Sequence, residues 1–195
     1  MTRSMLLLAE GFEALEASAF TDVFGWNRIE GDGSSGLDIV GLRPEIKATW
    51  NYKITVDHIL AEVNVADYDA LLIPGGFEEG NFYQDAFSPE FSEVIQQFNQ
   101  AHKLIATICV GALTLGKAGI LNGVKATTYT YGGMISARQR QLANFGAELL
   151  QQPIVESDNL ITSWNPSTAV PVALRALARL TSEENAAEIG KRMGY

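Results

Sequence analysis

The stretch at residues 103–117, KLIATICVGALTLGK, constrains the fold of this chain most, and it contains the one cysteine. Its apolar residues 104–108 predict a short buried strand. The chain then turns at Cys109, Val110 and Gly111 and continues with a pattern typical of a helix. A strand that turns sharply into a helix at a nucleophile forms a nucleophile elbow. Free N–H groups at the start of that helix would lower the pKa of the Cys109 thiol.

A lone cysteine in an apolar run is more often a small buried side chain than a nucleophile. Gly111 favours the functional interpretation, because a residue without a side chain allows close packing behind the sulfur. The choice between the two depends on which residues the other strands bring to the same end of the sheet.

Composition excludes several classes of protein. A length of 195 residues predicts one domain over residues 1–195. The formal net charge of −9 argues against nucleic-acid and anionic-membrane surfaces, which need basic patches. The chain has no apolar stretch of about 18 residues. One cysteine excludes an internal disulfide, and the absence of an export signal predicts the cytoplasm.

Strands and helices alternate along the chain, which predicts an α/β sandwich with a mostly parallel sheet and helices on both faces. Buried strands are predicted at 3–9, 37–42, 70–73, 104–108, 154–156 and 160–162, with weaker ones at 47–56 and 124–128. Helices are predicted at 13–27, with Leu15, Ala19, Val23 and Trp26 as the inner stripe, and at 89–101, 132–145, 168–180 and after the capping-box pattern at 181–184.

Ligands of parallel sheets bind beyond the carboxyl ends of the strands. Three predicted strands are followed by residues that could bind a ligand or react with it. They are residues 10–16, Gly75 with Gly76, and Cys109. The two glycines allow main-chain N–H groups to face a ligand, although a tight turn explains them equally well. A nucleotide P-loop is excluded, because no Gly-Lys-Ser or Gly-Lys-Thr follows. We expect the three stretches to meet at one edge of the sheet.

Five stretches together carry a family resemblance. They are GFEALE at 11–16, IPGG at 73–76, ATICVG at 106–111, KATT at 125–128 and LITS at 160–163. In this order and spacing the chain resembles the ThiJ/PfpI family, the parkinsonism-associated deglycase group of the class I glutamine amidotransferase-like superfamily. The resemblance covers nearly the whole chain. It implies a flavodoxin-like three-layer α/β/α sandwich, a small-molecule substrate, no cofactor, no metal ion and a homodimer.

The resemblance also implies roles for particular residues. Cys109 would be the reactive thiol and Glu16 the carboxyl beside it. Backbone N–H groups of Gly75, Gly76 and Val110 would form the oxyanion site. A carboxylate beside a thiolate repels it, so the pair should share one proton, with Glu16 protonated when Cys109 is ionised.

One position departs from the family pattern. Many members have a histidine after the Thr-Thr pair, where this chain has Tyr129. His102 precedes the cysteine strand by several residues, so it should lie at the opposite end of the sheet, and His58 should lie at an edge or surface. Cys-His-Glu chemistry is therefore doubtful. By resemblance, Tyr129, Trp164 and Asn165 line the pocket, although Trp164 fits core packing equally well.

Three functions remain open at this point. The first is a cysteine-dependent enzyme that acts on small reactive carbonyls in a glyoxalase or deglycase manner. The second is a redox-sensing or chaperone-like stress protein in which Cys109 is oxidised. The third is a small-molecule amidase or hydratase. The missing histidine favours the first two.

Overall fold

The first apolar run of the chain forms an interior strand of the sheet, which explains why it contains no alternating polar residues. It forms strand β1 (Thr2–Leu8) in a computed structural model that describes residues 1–132 and 135–195. Met5 and Leu7 pack into one hydrophobic cluster, and Leu6 and Leu8 pack into a second one. Successive side chains of a strand point to opposite faces, so β1 is covered by helices on both sides.

The remaining strands are β2 (Ser35–Gly41), β3 (Glu45–Lys47), β4 (Lys53–Thr55), β5 (His58–Ile59), β6 (Ala70–Ile73), β7 (Leu104–Thr107), β8 (Lys125–Ala126), β9 (Glu148–Leu149), β10 (Ile154–Ser157) and β11 (Leu160–Ser163). Seven strands form the main sheet in the spatial order β10-β11-β7-β6-β1-β2-β5. Only the β10–β11 pair of this sheet is antiparallel. The antiparallel pair β3–β4 and the parallel pair β8–β9 form two small separate sheets.

The helices are α1 (Ala14–Glu30), α2 (Phe82–Ala86), α3 (Pro89–Gln100), α4 (Ala112–Lys117), α5 (Ala137–Asn144), α6 (Ala169–Leu180) and α7 (Glu183–Met193). Helices α1, α6 and α7 pack on one face of the main sheet, and α3, α4 and α5 pack on the other. The predicted three-layer sandwich with a mostly parallel sheet is confirmed. Among the described residues, no helix has both the length and the apolar character needed to cross a bilayer.

Helix α1 buries only part of the predicted inner stripe, because Ala19 and Val23 are buried as expected and the other two members are not. Leu15 and Trp26, which were expected on the inner stripe, are both exposed. The buried face includes Glu16 and Asn27 together with apolar side chains such as Phe20. Two polar residues on the inner face weaken the hydrophobic pattern, and this displaced the predicted stripe.

Three local predictions differ from the structure. Residues 47–56 contribute to the separate β3–β4 hairpin and lie outside the main sheet. The helix expected at 132–145 begins only at Ala137, and residues 133 and 134 lie outside the described residues. Ser182, and not Thr181, caps α7 by accepting a hydrogen bond from the Asn185 N–H.

The strand order brings the three predicted stretches together. Strand β6 lies between β1 and β7, and all three run parallel. Beyond the strand ends, the Glu13 N–H donates to the Gly75 carbonyl at 2.8 Å, and the Phe77 N–H donates to the Gly11 carbonyl at 3.1 Å. The segment after β1 is thus joined to the segment after β6, and the Cys109 turn follows β7 beside them.

Candidate active site

Cys109 lies at a sharp turn between β7 and α4. Its φ of 57° is in the left-handed region, which a non-glycine residue adopts at a cost of about 1–2 kcal/mol. A short 3₁₀ turn, Cys109–Gly111, then leads into α4. The Thr128 hydroxyl donates to the Cys109 carbonyl at 2.7 Å and holds this strained peptide in place. The predicted elbow geometry is present, and its strained residue is the cysteine itself.

Gly111 is required where the turn passes the neighbouring strand. A Cβ at this position would lie 2.8 Å from the Ile73 carbonyl oxygen and 3.1 Å from the Pro74 oxygen. Because backbone atoms cannot give way as a flexible side chain can, a larger residue would displace the elbow from β6. This contact is the close packing that the sequence predicted behind the sulfur.

Glu16 reaches the cysteine from the first turn of α1. Its carboxyl is fully buried, and Oε2 accepts a hydrogen bond of 2.6 Å from the Gly75 N–H. No described residue makes a well-formed hydrogen bond to Oε1. The carboxyl lies against the Cys109 thiol, close enough for each group to change the pKa of the other, in a geometry short of a well-formed hydrogen bond. The structure thus brings together the two predicted residues.

Burial dominates the ionisation of both groups. It raises the pKa of Glu16 from 4.5 to about 8, an effect that the Gly75 N–H opposes and the charge of Glu13 strengthens. Burial also raises the pKa of the Cys109 thiol, and the charge of Glu16 raises it further, while the Val110 N–H opposes the shift. Both groups therefore hold their protons at neutral pH, and a thiolate forms only when the pair has lost one proton.

The predicted lowering of the Cys109 pKa is wrong in direction. The prediction rested on a helix N-terminus, but α4 has six residues and the cysteine precedes it by a 3₁₀ turn. A helix dipole acts within the first turn and is worth at most about 2 kcal/mol in partly buried sites. Burial of a thiol beside a carboxyl outweighs it.

The three predicted backbone donors face different groups. The Gly75 N–H donates to Glu16, so it orients the carboxyl and is not free for an oxyanion. The Val110 N–H is directed at the Cys109 sulfur and lowers the pKa of the thiol. The Gly76 N–H donates to no backbone carbonyl in the described part of the chain. A Cβ at Gly76 would lie 2.3 Å from both the Gly11 oxygen and Phe82 Cδ2. The Gly76 N–H is therefore the candidate that remains for an oxyanion site, while the Val110 N–H is directed at the sulfur.

The predicted pocket residues are held by specific contacts. Tyr129 is half-buried on the same core cluster as the cysteine, and its carbonyl accepts a hydrogen bond of 2.6 Å from the Ser136 hydroxyl. Trp164 Nε1 donates to the Thr127 hydroxyl at 2.8 Å. The side-chain oxygen of Asn165 caps a turn by accepting from the N–H and hydroxyl of Ser167. The Asn165 oxygen thus has a structural partner already.

The two histidines lie away from the thiol, as predicted. His58 is on β5, the edge strand of the main sheet, 3.9 Å from an Asp38 oxygen. His102 precedes β7 at the opposite end from the cysteine, is exposed, and lies 3.6 Å from an Asp158 oxygen. In the ranges that the structure describes, no cluster of histidine, cysteine or acidic side chains could hold a metal ion.

An ion-pair network supports the turn that precedes Glu16. Arg43 makes two hydrogen bonds, of 2.7 and 2.8 Å, to the buried carboxylate of Asp85. The same carboxylate accepts a hydrogen bond of 2.8 Å from the Glu10 N–H. Because Glu10 begins the turn into α1, this network fixes the point from which Glu16 enters the site.

Sequence reasoning missed Tyr83 and Arg138 as neighbours of the site. Tyr83 lies on α2, a helix of five residues that is too short to produce a helical pattern. The Arg138 guanidinium carbon lies 5.1 Å from the centre of the Tyr83 ring. Only the motif NFY at residues 81–83, between the glycine pair and α3, marks this position in the sequence.

This fold and site define a class: a doubly wound α/β protein with a cysteine elbow facing a buried carboxyl. Residues 2–179 match the DJ-1/PfpI family. The chain therefore belongs to the DJ-1/PfpI family, as the resemblance implied.

Individual relatives agree with this assignment. The chain is 27% identical to the protein dj-1beta of Drosophila melanogaster over 190 residues, which cover 96% of this chain and 94% of that protein. The crystal structure of Drosophila melanogaster DJ-1beta superposes with a TM-score of 0.84 at 26% identity and covers 98% of this chain and 97% of that one. General stress protein 18 of Bacillus subtilis is 33% identical over 129 residues, which cover 66% of this chain and 70% of that protein.

Proposed function

We propose that this protein is a cysteine-dependent enzyme that acts on small reactive carbonyls in a glyoxalase or deglycase manner. The observation that carries the proposal is the fully buried Glu16 carboxyl against the Cys109 thiol. A carboxyl with a pKa of about 8 exchanges protons near physiological pH, as a general acid or base must. Family membership supports the proposal at the level of the class.

The chemistry starts when the pair loses one proton. The Cys109 sulfur then forms a bond to the carbonyl carbon, and the π electrons move to the oxygen to give an alkoxide. Glu16 supplies the remaining proton to that oxygen, which completes a hemithioacetal. The N–H of Gly76, which has no backbone acceptor among the described residues, is the candidate to stabilise the alkoxide as it develops.

In the glyoxalase manner, the Glu16 carboxylate next removes the proton from the carbon bonded to sulfur. It returns this proton to the neighbouring carbonyl carbon, while the hydroxyl proton of the hemithioacetal passes to the neighbouring carbonyl oxygen. The C–S carbon thereby becomes a thioester carbonyl and its neighbour becomes a hydroxyl-bearing carbon, with no external oxidant. Water then cleaves the thioester and releases a hydroxy acid and the thiol. Each step needs one group that both takes and returns a proton beside the sulfur, and Glu16 lies there.

The absence of a neighbouring histidine makes an amidase or hydratase the less supported alternative. Histidine serves as the base in Cys-His-Glu chemistry, yet His58 and His102 both lie elsewhere. The position of the family histidine is Tyr129, and a tyrosine side chain is not an imidazole base.

The test is consumption of methylglyoxal by the purified protein. Cys109→Ser should abolish it, and Glu16→Gln should lower it by about 10²- to 10⁴-fold, because Gln keeps the Gly75 hydrogen bond but cannot transfer a proton. Glu62→Gln changes an exposed carboxylate and serves as the control. Turnover that survives Cys109→Ser would contradict the proposal.

A second candidate function is redox sensing, and a specific observation favours it. The Val110 N–H is directed at the sulfur. Glu16 offers a proton beside it, and its Oε1 has no hydrogen-bond partner in the part of the chain that the structure describes. These groups would hold the oxygens of a sulfinate after two successive oxidations by peroxide, each of which adds one oxygen to sulfur and releases water. Mass spectrometry after peroxide treatment should then show Cys109 with two added oxygens. The methylglyoxal assay should show no turnover.

Tyr129→His separates the two functions. A histidine at this position offers a base with a pKa of about 6.5, so methylglyoxal consumption should rise if the protein is a weak glyoxalase. If the protein is a sensor, the substitution should change the oxidation rate of Cys109 and create no turnover. Lower turnover with histidine would indicate that Tyr129 shapes the pocket for another substrate.

We also propose a homodimer. Leu15, Trp26 and Ile29 are exposed on α1, and the spacing of these residues places them on one stripe of the helix. An exposed apolar stripe favours contact with another protein surface. Sedimentation equilibrium should give a dimer, and Leu15→Asp should weaken it, whereas a monomeric wild-type protein would contradict this proposal.

A further inference from the structure

The Tyr83 ring is clamped on several sides. Its centre lies 5.4 Å from the Phe82 ring and 4.7 Å from the Phe87 ring. The Arg138 guanidinium lies over the ring at 5.1 Å, and Glu78 holds that guanidinium through a hydrogen bond of 3.2 Å. A ring packed by two aromatic side chains and a cation has little rotational freedom, so the direction of its hydroxyl is fixed.

Within residues 1–132 and 135–195, the hydroxyl of this clamped ring has no hydrogen-bond partner, and its oxygen is accessible to solvent. Half-buried tyrosines usually place the hydroxyl where it can form a hydrogen bond. Tyr83 packs on the same core cluster as Cys109, and Phe82, the preceding residue, lies against Gly76. Tyr83 therefore lies on the segment that follows the carboxyl end of β6, at the same edge of the sheet as the thiol.

Electrostatics agree with this placement. Burial raises the pKa of Tyr83 to about 12, the charge of Arg138 opposes the shift, and the charge of Cys109 adds to it. Tyr83 is thus near enough to the cysteine for the charge of a thiolate to raise the pKa of the phenol. It also remains protonated at neutral pH, so it can donate a hydrogen bond but cannot act as a base.

We propose that the Tyr83 hydroxyl donates a hydrogen bond to the oxygen of a carbonyl compound bound at Cys109. This inference rests on the proposed function and deepens it, because it gives the substrate oxygen a side-chain donor in a family member without the usual histidine. When the sulfur–carbon bond forms, negative charge moves to that oxygen. Tyr83 stabilises the charge without losing its proton, and Glu16 remains the group that transfers a proton.

The test compares the reactions of Cys109 with two kinds of electrophile. Methylglyoxal labelled with ¹³C at its aldehyde carbon reports the hemithioacetal at Cys109 by NMR. Iodoacetamide alkylates the same sulfur without placing charge on an oxygen. Tyr83→Phe keeps the ring and its contacts and removes only the hydroxyl. Tyr131→Phe removes an exposed phenol and serves as the matched control.

Tyr83→Phe should lower the equilibrium constant for hemithioacetal formation about tenfold. It should also lower kcat/KM for methylglyoxal by about 10²-fold. The rate of iodoacetamide alkylation should change less than about twofold, and Tyr131→Phe should change neither reaction. Equal equilibrium constants for hemithioacetal formation in wild type and Tyr83→Phe would overturn the inference and leave the proposed function intact.

The opposite failure can be recognised separately. If the wild-type protein forms a Tyr83-dependent hemithioacetal but turns over no methylglyoxal, the enzymatic proposal fails and the inference about Tyr83 stands. Equal losses in alkylation and in hemithioacetal formation would assign Tyr83 a structural role only and would overturn the inference. A wild-type thiol that forms no hemithioacetal would overturn both.

Discussion

Replacement of Glu16 by Gln should change how the stability of the protein depends on pH. In the folded protein, burial raises the pKa of Glu16 from its ordinary value of 4.5 to about 8. Between these two values the folded state holds a proton on Glu16 that the unfolded state has released. Because the folded state binds more protons in this window, the free energy of unfolding falls as the pH rises.

The magnitude follows from the size of the shift. One pKa unit corresponds to about 1.4 kcal/mol, so wild-type stability should fall by about 1.4 kcal/mol per pH unit between pH 5 and pH 8. The full loss approaches 5 kcal/mol above pH 8 and vanishes below the ordinary pKa. Gln has no proton to lose, and its side-chain oxygen can still accept the hydrogen bond of the Gly75 N–H. The variant should therefore lack this slope.

The assay is urea denaturation at half-unit intervals from pH 5 to pH 8. The free energy of unfolding of Glu16→Gln minus that of wild type should increase steadily across the series. Glu62→Gln, which replaces an exposed carboxylate, should keep the wild-type slope. Parallel curves for wild type and Glu16→Gln would show that Glu16 ionises normally in the folded state, and the argument from burial would be refuted.

Further predictions concern the elbow and its neighbours. Gly75→Ala should destabilise the protein by about 1–3 kcal/mol in urea denaturation, since its Cβ would lie 2.9 Å from that of Cys109. Gly25→Ala, in open space on α1, should instead stabilise it by about 0.5–1 kcal/mol, and equal effects would refute the packing argument. Cys109→Gly should be about 1 kcal/mol more stable than Cys109→Ala, because its φ of 57° strains any side chain; the reverse order would count against strain. Iodoacetamide labelling of wild-type Cys109 should have its midpoint above the ordinary thiol pKa, and Glu16→Gln should lower that midpoint by removing a charge; an unchanged midpoint would argue against the coupling.

Several features of the site could be predicted because they are local in sequence. The strand, the turn and the helix around Cys109 follow one another within 15 residues, and their apolar pattern is unbroken. The glycine pair directly follows β6, whose predicted bounds, 70–73, match the structure. Parallel strands end at the same edge of a sheet, so the meeting of the Glu16, Gly75 and Cys109 segments followed from the fold class.

The inner face of α1 could be predicted only in part, since Ala19 and Val23 are buried but Leu15 and Trp26 are not. A buried carboxyl looks like a polar surface residue to any pattern based on hydrophobicity. The pattern therefore predicts Leu15 in the core, and only the family resemblance gives Glu16 a role. Tyr83 was missed for another reason. It lies on a helix of one turn, and its ring is contacted by Arg138, which is 55 residues away in the chain.

The sequence by itself determined the order of strands and helices, the family, and the identity of the thiol and its carboxyl. These properties depend on residue type and on neighbours along the chain, which patterns record. Only the tertiary structure decided the protonation of the site. The pKa of Cys109 depends on how much water is excluded and on which charges lie across the sheet edge, and both are set by packing. A helix start predicted a thiolate, whereas burial beside Glu16 keeps the thiol protonated.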